Sequence, residues 1–424
     1  MTLAQPTTPT TENGNFRHLV LDIAWYGLAL AAYGRFLSVY AIKLGATPIE
    51  QGLLTSLPAL ILLIFASLGN WWTKRYSEPR KALVIPSFIF RMVFLLPAFA
   101  PFFPPHLQPY YLIACVTLPA ITQGASGVAF LVLMRGAVSE TRMPRLLSMR
   151  SLSLNIAVGI GALAFGVWLR EVPFPYNYQL MFVLAFGFAM ISLWHATRVR
   201  SVTLSPTATT PAPVIAQPNA HSQPWRSHNF RQVALVTLII HVAFFSIVPV
   251  VNMYLVEVKD ADEIFMGLYG IAELTAGAVM SFIAPRILAR TGYRAAIALG
   301  MVGTAIAAII IALAPHLSLT LVAAVVSGAS WTLGATISLF GFLNENTPQQ
   351  HMMRYSTAFH QTIGLSVFIG PLVGSLLANS GMNLVAVLMI GAALRLLAAP
   401  LIEYPELLRW GHRRRVFHPR GVKP

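Results

Sequence analysis

The chain has 424 residues, of which 56% are hydrophobic and only 10% charged. A soluble globular domain carries about a quarter charged residues, so an ordinary soluble enzyme or binding module is excluded. The net charge of +15 would suit a nucleic-acid ligand. The cations, however, sit in short loops between apolar runs, where membrane topology and anionic lipid account for them and no nucleic-acid partner is expected.

Residues 1–16 are polar and Thr-rich, with neither a basic start nor a small-residue cleavage site. They read as a disordered tail ahead of an uncleaved first apolar segment. Twelve apolar runs follow, at about 19–41, 49–72, 82–103, 109–135, 149–169, 177–197, 231–256, 264–288, 294–314, 318–343, 354–378 and 382–402, each near the length of a bilayer-spanning helix. Such continuous runs suit helices rather than the short alternating strands of a barrel. A helix also satisfies its own backbone in lipid. Residues 201–228, rich in Pro, Thr, Ser and Ala, read as a flexible linker. The predicted fold is therefore an all-α integral membrane protein with twelve transmembrane helices. Two six-helix bundles, 17–200 and 229–402, precede a basic tail, 403–424.

All but six of the 29 Lys and Arg lie in the tails or in every second loop. Lys43, Arg170 and Lys259 fall in the other loops, and Arg35, Arg91 and Arg395 lie within segments. Positively charged loops stay inside, so both termini are expected in the cytoplasm of a cell whose plasma or inner membrane holds the protein.

The halves repeat. Gly52 precedes Arg75 by 23 positions and Gly267 precedes Arg290 by 23, and both glycines open an even-numbered segment. Glu140 before Arg150 and Glu345 before Arg354 follow the fourth segment of each half. Such internal repeats fit a secondary transporter whose site lies between the repeats near mid-membrane.

Between segments 2 and 3 the chain reads Gly69-Asn-Trp-Trp-Thr-Lys-Arg-Tyr-Ser-Glu-Pro-Arg-Lys81, and between segments 8 and 9 it reads Pro285-Arg-Ile-Leu-Ala-Arg-Thr-Gly-Tyr-Arg294. Both stretches resemble the loop motif of the major facilitator superfamily, roughly Gly-x-x-x-Asp-Arg-x-Gly-Arg-Arg. The motif glycine and cations match Gly69, Lys74, Arg75, Arg80 and Lys81 in the first copy, and Arg290, Gly292 and Arg294 in the second. The motif aspartate is replaced by Thr73 and Ala289, and the second motif glycine by Pro285. The resemblance implies two bundles that rock about a cavity lined by helices 1, 4, 7 and 10, in a monomer. The family's drug–proton antiporters carry Gly-Pro-x-x-Gly-Gly on helix 5. Here segment 5 lacks the proline, and the nearest match, Gly370-Pro-Leu-Val-Gly374, lies on segment 11.

Intramembrane polar groups are the functional candidates. Asp22, near the start of segment 1, reads as a gating or structural carboxylate in reach of interfacial water. Arg35, on the same helix, is a candidate for an anionic substrate group, against the plainer reading of a snorkelling side chain. Tyr26, Tyr33 and Tyr40 recur every seven residues as one stripe, with Tyr33 the candidate cavity wall. Glu273, mid-way along segment 8, is the candidate proton carrier. His241 and Asn252 share a face if segment 7 is one straight helix. Gln123, Trp331, His360 and Gln361 are further cavity candidates. Arg91 and Arg395 read as structural. There is no phosphate-binding Gly-x-x-x-x-Gly-Lys-Ser/Thr, no His-Glu-x-x-His and a single cysteine, Cys115. Neither cofactor nor metal is expected, and no enzyme activity.

The sequence thus predicts a secondary active transporter of a small solute working by alternating access, with a proton as candidate co-transported ion. An efflux pump for amphipathic compounds is the alternative within transport. A polytopic receptor-like protein or membrane enzyme is the alternative outside it.

Overall fold

The structure, a computed structural model, describes residues 9–65, 68–73, 75–76, 78–139, 141–200, 223–348 and 351–403. Among them there is no strand. Among the described residues ten helices are long and apolar enough to cross a membrane, or eleven if the bent pair Arg80–Phe94 and Leu96–Phe102, angled at 41°, is one span.

The first six spans contain α1 (Pro9–Tyr33), α2 (Phe36–Lys43), α3 (Pro48–Phe65), α4 (Leu68–Thr73), α5 (Pro79–Arg91), α6 (Gln108–Arg135), α7 (Met143–Glu171) and α8 (Tyr176–Arg198). The remainder contains α9 (His228–Phe245), α10 (Val248–Met253), α11 (Glu263–Leu313), α12 (Thr320–Trp331), α13 (Leu339–Glu345), α14 (Met352–Asn379) and α15 (Leu384–Glu403).

Helix α1 begins at Pro9, so residues 9–16 are helical rather than part of the expected tail. Asn15 is 2% exposed and its side-chain amide donates to the carbonyls of Ala137 (2.9 Å) and Arg200 (2.7 Å), which anchors this extension. The 51-residue α11 contains one non-helical residue, Gly292, at φ 76° and ψ 173°. That backbone is strained for any residue with a Cβ, and Gly292 punctuates the run between expected segments 8 and 9. Residues 201–222 and 404–424, which hold most of the expected linker and basic tail, lie outside the described residues, as does Lys74.

Two spans expected to be straight are broken. The first parts at Gly34–Arg35, between α1 and α2, where glycine is a poor helix former. The seventh parts at Ser246–Ile247, between α9 and α10. Pro249 causes this break: it has no N–H for the Phe245 carbonyl, and its ring crowds that turn. The span then widens into a π-helical stretch at Tyr254–Val258. The tenth span carries another, Thr332–Ser338. Non-helical backbone at membrane depth is tolerated where it is buried in protein or lines a cavity.

The two halves touch tightly at the end away from the basic loops. A Cβ on Gly166 of α7 would lie 3.1 Å from the Glu263 carbonyl oxygen of α11, and one on Gly267 would lie 2.9 Å from that of Ala162. Only glycine allows the two backbones this approach.

Candidate functional site

Both helix breaks open on one cavity of about 550 Å³ between the halves. Its walls come from the first span (Tyr33, Arg35, Ser38), α3 (Gln51), α7 (Val158), α10 (Asn252) and α11 (Gly270, Glu273). Polar groups are few and converge, as in a solute site.

Arg35 and Glu273 form an ion pair across the halves, Nη2 to Oε2. The two side chains are 22% and 28% exposed, so each still faces the cavity. Arg35 Nη1 donates to Asn252 Oδ1 at 3.0 Å, and the guanidinium lies 4.5 Å from the ring centroid of Tyr269. Asn252 Nδ2 donates to Ser38 Oγ (3.1 Å), which donates to Gln51 Oε1 (2.8 Å). Glu273 Oε1 accepts from Ser327 Oγ at 3.2 Å. One connected network thus joins α2, α3, α10, α11 and α12, and its strongest link crosses between the halves. The break at Gly34 places Arg35 at the start of α2, which frees its side chain to cross.

A second charged link sits at the end where the halves touch. Glu263, 5% exposed, pairs with Lys43 and accepts from the Tyr178 hydroxyl at 3.1 Å. Lys43 and Tyr178 belong to the first half and Glu263 to the second.

Inside the first half lies a separate cavity of about 250 Å³, lined by Asp22, Arg91, Arg150 and Gln123 among others. Asp22 is 3% exposed. It accepts from Ser192 Oγ (2.8 Å) and Arg150 Nη1 (3.1 Å), and Arg91 lies at 3.9 Å. Asp22 is therefore enclosed by side chains of its own half rather than open at the helix start. Because α1 starts ten residues before the expected segment, Asp22 lies well inside the helix. Arg91 also donates to the Ala189 carbonyl (3.0 Å) and to Ser192 Oγ (3.0 Å).

Arg395 on α15 is 4% exposed and has no carboxylate partner among the described residues. Its guanidinium instead donates to three carbonyls, those of Ala243 (3.2 Å), Thr304 (2.8 Å) and Phe244 (2.7 Å). Ala243 and Phe244 end α9, so Arg395 takes the carbonyls that the helix break leaves without an N–H.

The other predicted residues lie apart from the central cavity. His241, Phe245 and Trp331 form an aromatic cluster with Phe244, which stacks on Trp331 at 3.9 Å. His241 is 5% exposed and Nδ1 meets its own helix at the Thr237 carbonyl, 2.9 Å away. The break in the seventh span removes the shared face predicted for His241 and Asn252. Likewise Tyr33 lines the cavity, whereas Tyr40, beyond the Gly34 break, stacks on Tyr178 at 4.5 Å and is wholly buried. Gln123 faces the Asp22 cavity. His360 and Gln361 are exposed on α14, with His360 Nδ1 2.7 Å from the Ser356 carbonyl. Spans 4 and 10, implied as cavity walls by the resemblance, contribute no residue to the central cavity; spans 2, 5 and 8 do. In the loops, Gly69 lies in α4, and Arg75 covers the Trp71 ring at 3.6 Å. Lys81 pairs with Glu78 at 3.2 Å. Arg80 reaches the Thr197 carbonyl at 3.5 Å, Arg290 is exposed, and Arg294 donates to Gln232 Oε1 at 2.9 Å.

Gln51, Ser38 and Glu263 carry polar links that sequence reading missed. A signal for the site was present: glycine or proline interrupts the first apolar segment of each half at corresponding depths, at Gly34 and Pro249. Interrupted helices in matching positions point to a transporter's binding site.

The sequence matches the family model described as Major Facilitator Superfamily over residues 24–371. No curated protein matches the sequence. Among solved structures, the nucleoside transporter NupG superposes with a TM-score of 0.71 at 10% identity, covering 94% of this chain and 99% of that one. The D-xylose-proton symporter gives 0.68 at 15% identity, covering 92% and 97%. The inward-open xylose transporter XylE from E. coli gives 0.65 at 14%, covering 93% and 95%. At such identities the likeness is one of fold. The family model spans most of the chain, and the all-helical fold of the described residues agrees with it: this multi-pass membrane protein belongs to the major facilitator superfamily of secondary transporters.

Proposed function

We propose that the chain carries a small solute through the cavity between its halves, coupled to a proton, with Glu273 as the proton site and Arg35 as the group that meets the solute. The observation that carries this reading is the Arg35–Glu273 pair: it joins the two halves, and both side chains line the same cavity. Rocking the halves apart at this level requires the pair to part. An unpaired charge at membrane depth is costly, so the pair parts only when each charge is compensated. Protonation neutralises Glu273, and an acceptor on the solute takes over Arg35. Occupancy by proton and solute thereby biases the two-state equilibrium through differential affinity.

The chain is read as twelve spans, with α11 divided at Gly292 and the bent third span counted once. The basic loops and both termini face the cytoplasm of a plasma or inner membrane. The halves are then closed together on the outer side, and the cavity exchanges with the cytoplasmic side. Aromatic and aliphatic groups dominate the cavity walls around the few polar ones, which favours an amphipathic or weakly polar solute, and the protein is read as a monomer.

The test is reconstitution into liposomes carrying a pH-sensitive dye, with pools of small solutes added outside, for wild type, Glu273→Gln and Arg35→Gln. Solute-triggered proton flux that disappears in Glu273→Gln while solute exchange persists supports the reading. Flux retained in Glu273→Gln overturns the proton assignment, and solute selectivity unchanged in Arg35→Gln overturns the solute assignment.

A further inference from the structure

At the basic end of the first half, two crevices of about 410 and 460 Å³ adjoin between the ends of α1, α5 and α8. Both are lined by Arg80, Thr197 and Arg198, so they form one continuous site. Arg200 and His18 line one part, and Lys81, Val84 and Trp194 the other. No described carboxylate lines either part. Lys81 is engaged by Glu78. Arg80, Arg198 and Arg200 make no ion pair with a described carboxylate. Among the described residues Arg80 reaches the Thr197 carbonyl, at 3.5 Å, and the Arg198 guanidinium lies 4.8 Å from the Trp194 ring centroid. Three guanidiniums therefore surround a recess that no described carboxylate matches.

The recess opens onto apolar surface. Trp194 is 49% exposed and Val84 38%. Further along the same two helices Ile85, Phe88 and Ile191 are also exposed, and Phe88 meets Phe186 edge-on at 6.4 Å. An exposed tryptophan beside cations is the side-chain chemistry of a membrane interface, with the ring at headgroup level. The site is thus amphiphilic, a cationic recess at one end and an apolar face leading away from it. In the second half the cation opening the span after the equivalent loop is already engaged: Arg294 donates to Gln232 and lies 5.0 Å from the Phe342 ring centroid.

We propose that this crevice is a binding site for the phosphodiester headgroup of an anionic membrane phospholipid, with the acyl chains along the α5–α8 face. The arginines supply charge-assisted, geometrically matched donors to phosphate oxygens. Trp194 and Val84 cover the first carbons of the chains. A soluble phosphate would satisfy the cations and leave the apolar face unused, which is why the lipid is the occupant of choice.

The experiment is thermal unfolding of the purified full chain in detergent, titrated with dioctanoyl phosphatidylglycerol, dioctanoyl phosphatidylcholine or inorganic phosphate. Phosphatidylglycerol is expected to raise the unfolding midpoint saturably, and the other two are not. In R80Q/R198Q the half-saturating concentration rises roughly thirtyfold, from the loss of two surface cations. R80K/R198K retains most of the response, and R170Q, whose arginine lies at the other end, retains all of it. An equal response to phosphatidylcholine, or an unchanged response in R80Q/R198Q, overturns the site. An equal response to inorganic phosphate overturns the lipid as its occupant. Should R80Q/R198Q not fold, brominated phosphatidylglycerol replaces it: quenching of tryptophan emission that is the same in wild type and W194F overturns the proposal, and quenching diminished in W194F supports it.

Discussion

Two carboxylates in this protein solve the same physical problem in opposite ways. Asp22 is 3% exposed and draws every charged partner, Arg91 and Arg150, from its own half. Glu273 is half-buried and draws its partner, Arg35, from the other half. A carboxylate in a bilayer must be compensated in either case. In the proposed rocking of the halves the partners of Asp22 move with it, which makes that cluster framework, whereas the partner of Glu273 does not, which makes that pair a restraint on one half against the other.

Substitutions sharpen this contrast. Asp22→Asn leaves Arg91 and Arg150 buried without their counter-charge, which should cost about 3–5 kcal/mol of stability. The check is thermal or denaturant unfolding in detergent, and a variant as stable as wild type would break the framework assignment. Arg395→Met takes the guanidinium from the Ala243 and Phe244 carbonyls at the α9 break and from the Thr304 carbonyl of α11, with Ala243 still accepting from Ser246 Oγ, for a loss of about 3 kcal/mol, read in the same assay. The double variant Gly166→Ala/Gly267→Ala pushes α7 from α11 where backbone oxygens stand 3.1 and 2.9 Å from the new Cβ atoms. Overpacking of this kind should shift the equilibrium away from the closed end by about 1–3 kcal/mol. Spin-label distances across that end should gain a longer component, and an unchanged distribution would show that the contact does not hold the state. Glu273→Gln, in contrast to Asp22→Asn, leaves a cation that faces the cavity and keeps Asn252 and the Tyr269 ring, so it should cost less, about 1–2 kcal/mol, even as it removes the proposed proton coupling. The smallest effect is expected for Lys43→Gln: Glu263, 5% exposed, loses its counter-charge but keeps the Tyr178 hydroxyl and can take a donor from the new amide, so the loss should be about 1 kcal/mol, read by unfolding.

The sequence carried the spans, the charge asymmetry and the intramembrane polar residues, because each is written in local composition. Partner choice was not local. Arg35 and Glu273 stand 238 positions apart, and each was assigned a separate role, solute and proton, when in this state they hold each other. Helical-wheel reasoning also assumes an unbroken helix. It therefore misplaced Tyr40 relative to Tyr33 and His241 relative to Asn252, since Gly34 and Pro249 interrupt those helices. Trp331 and Gln361 are candidates by aromatic character or polarity, and His360 also by its repeat-equivalent place fifteen residues after Glu345. Nothing in a single sequence says which way such a helix turns within its bundle, and the structure leaves these three away from the central cavity. Gln123 was selected likewise and faces a different cavity. Local hydropathy opens the first segment at about residue 19 and so sets Asp22 near its start, whereas α1 begins at Pro9 and holds Asp22 well inside. Its early start depends on Asn15 bonding to residues more than a hundred positions distant, which no local pattern encodes.

Arg395 has a consequence for biogenesis. It lies on the last helix, and its three acceptors lie on α9 and α11, which are synthesised earlier. An arginine at the centre of an isolated inserting helix costs about 2.5–3.5 kcal/mol. Here the open carbonyls of the interrupted seventh span are already in the membrane when α15 arrives. Chain order thus supplies the acceptor before the donor, and the second bundle can complete itself only when its final helix docks. A circular permutant that placed α15 ahead of α9 would have to insert that charge with nothing to receive it.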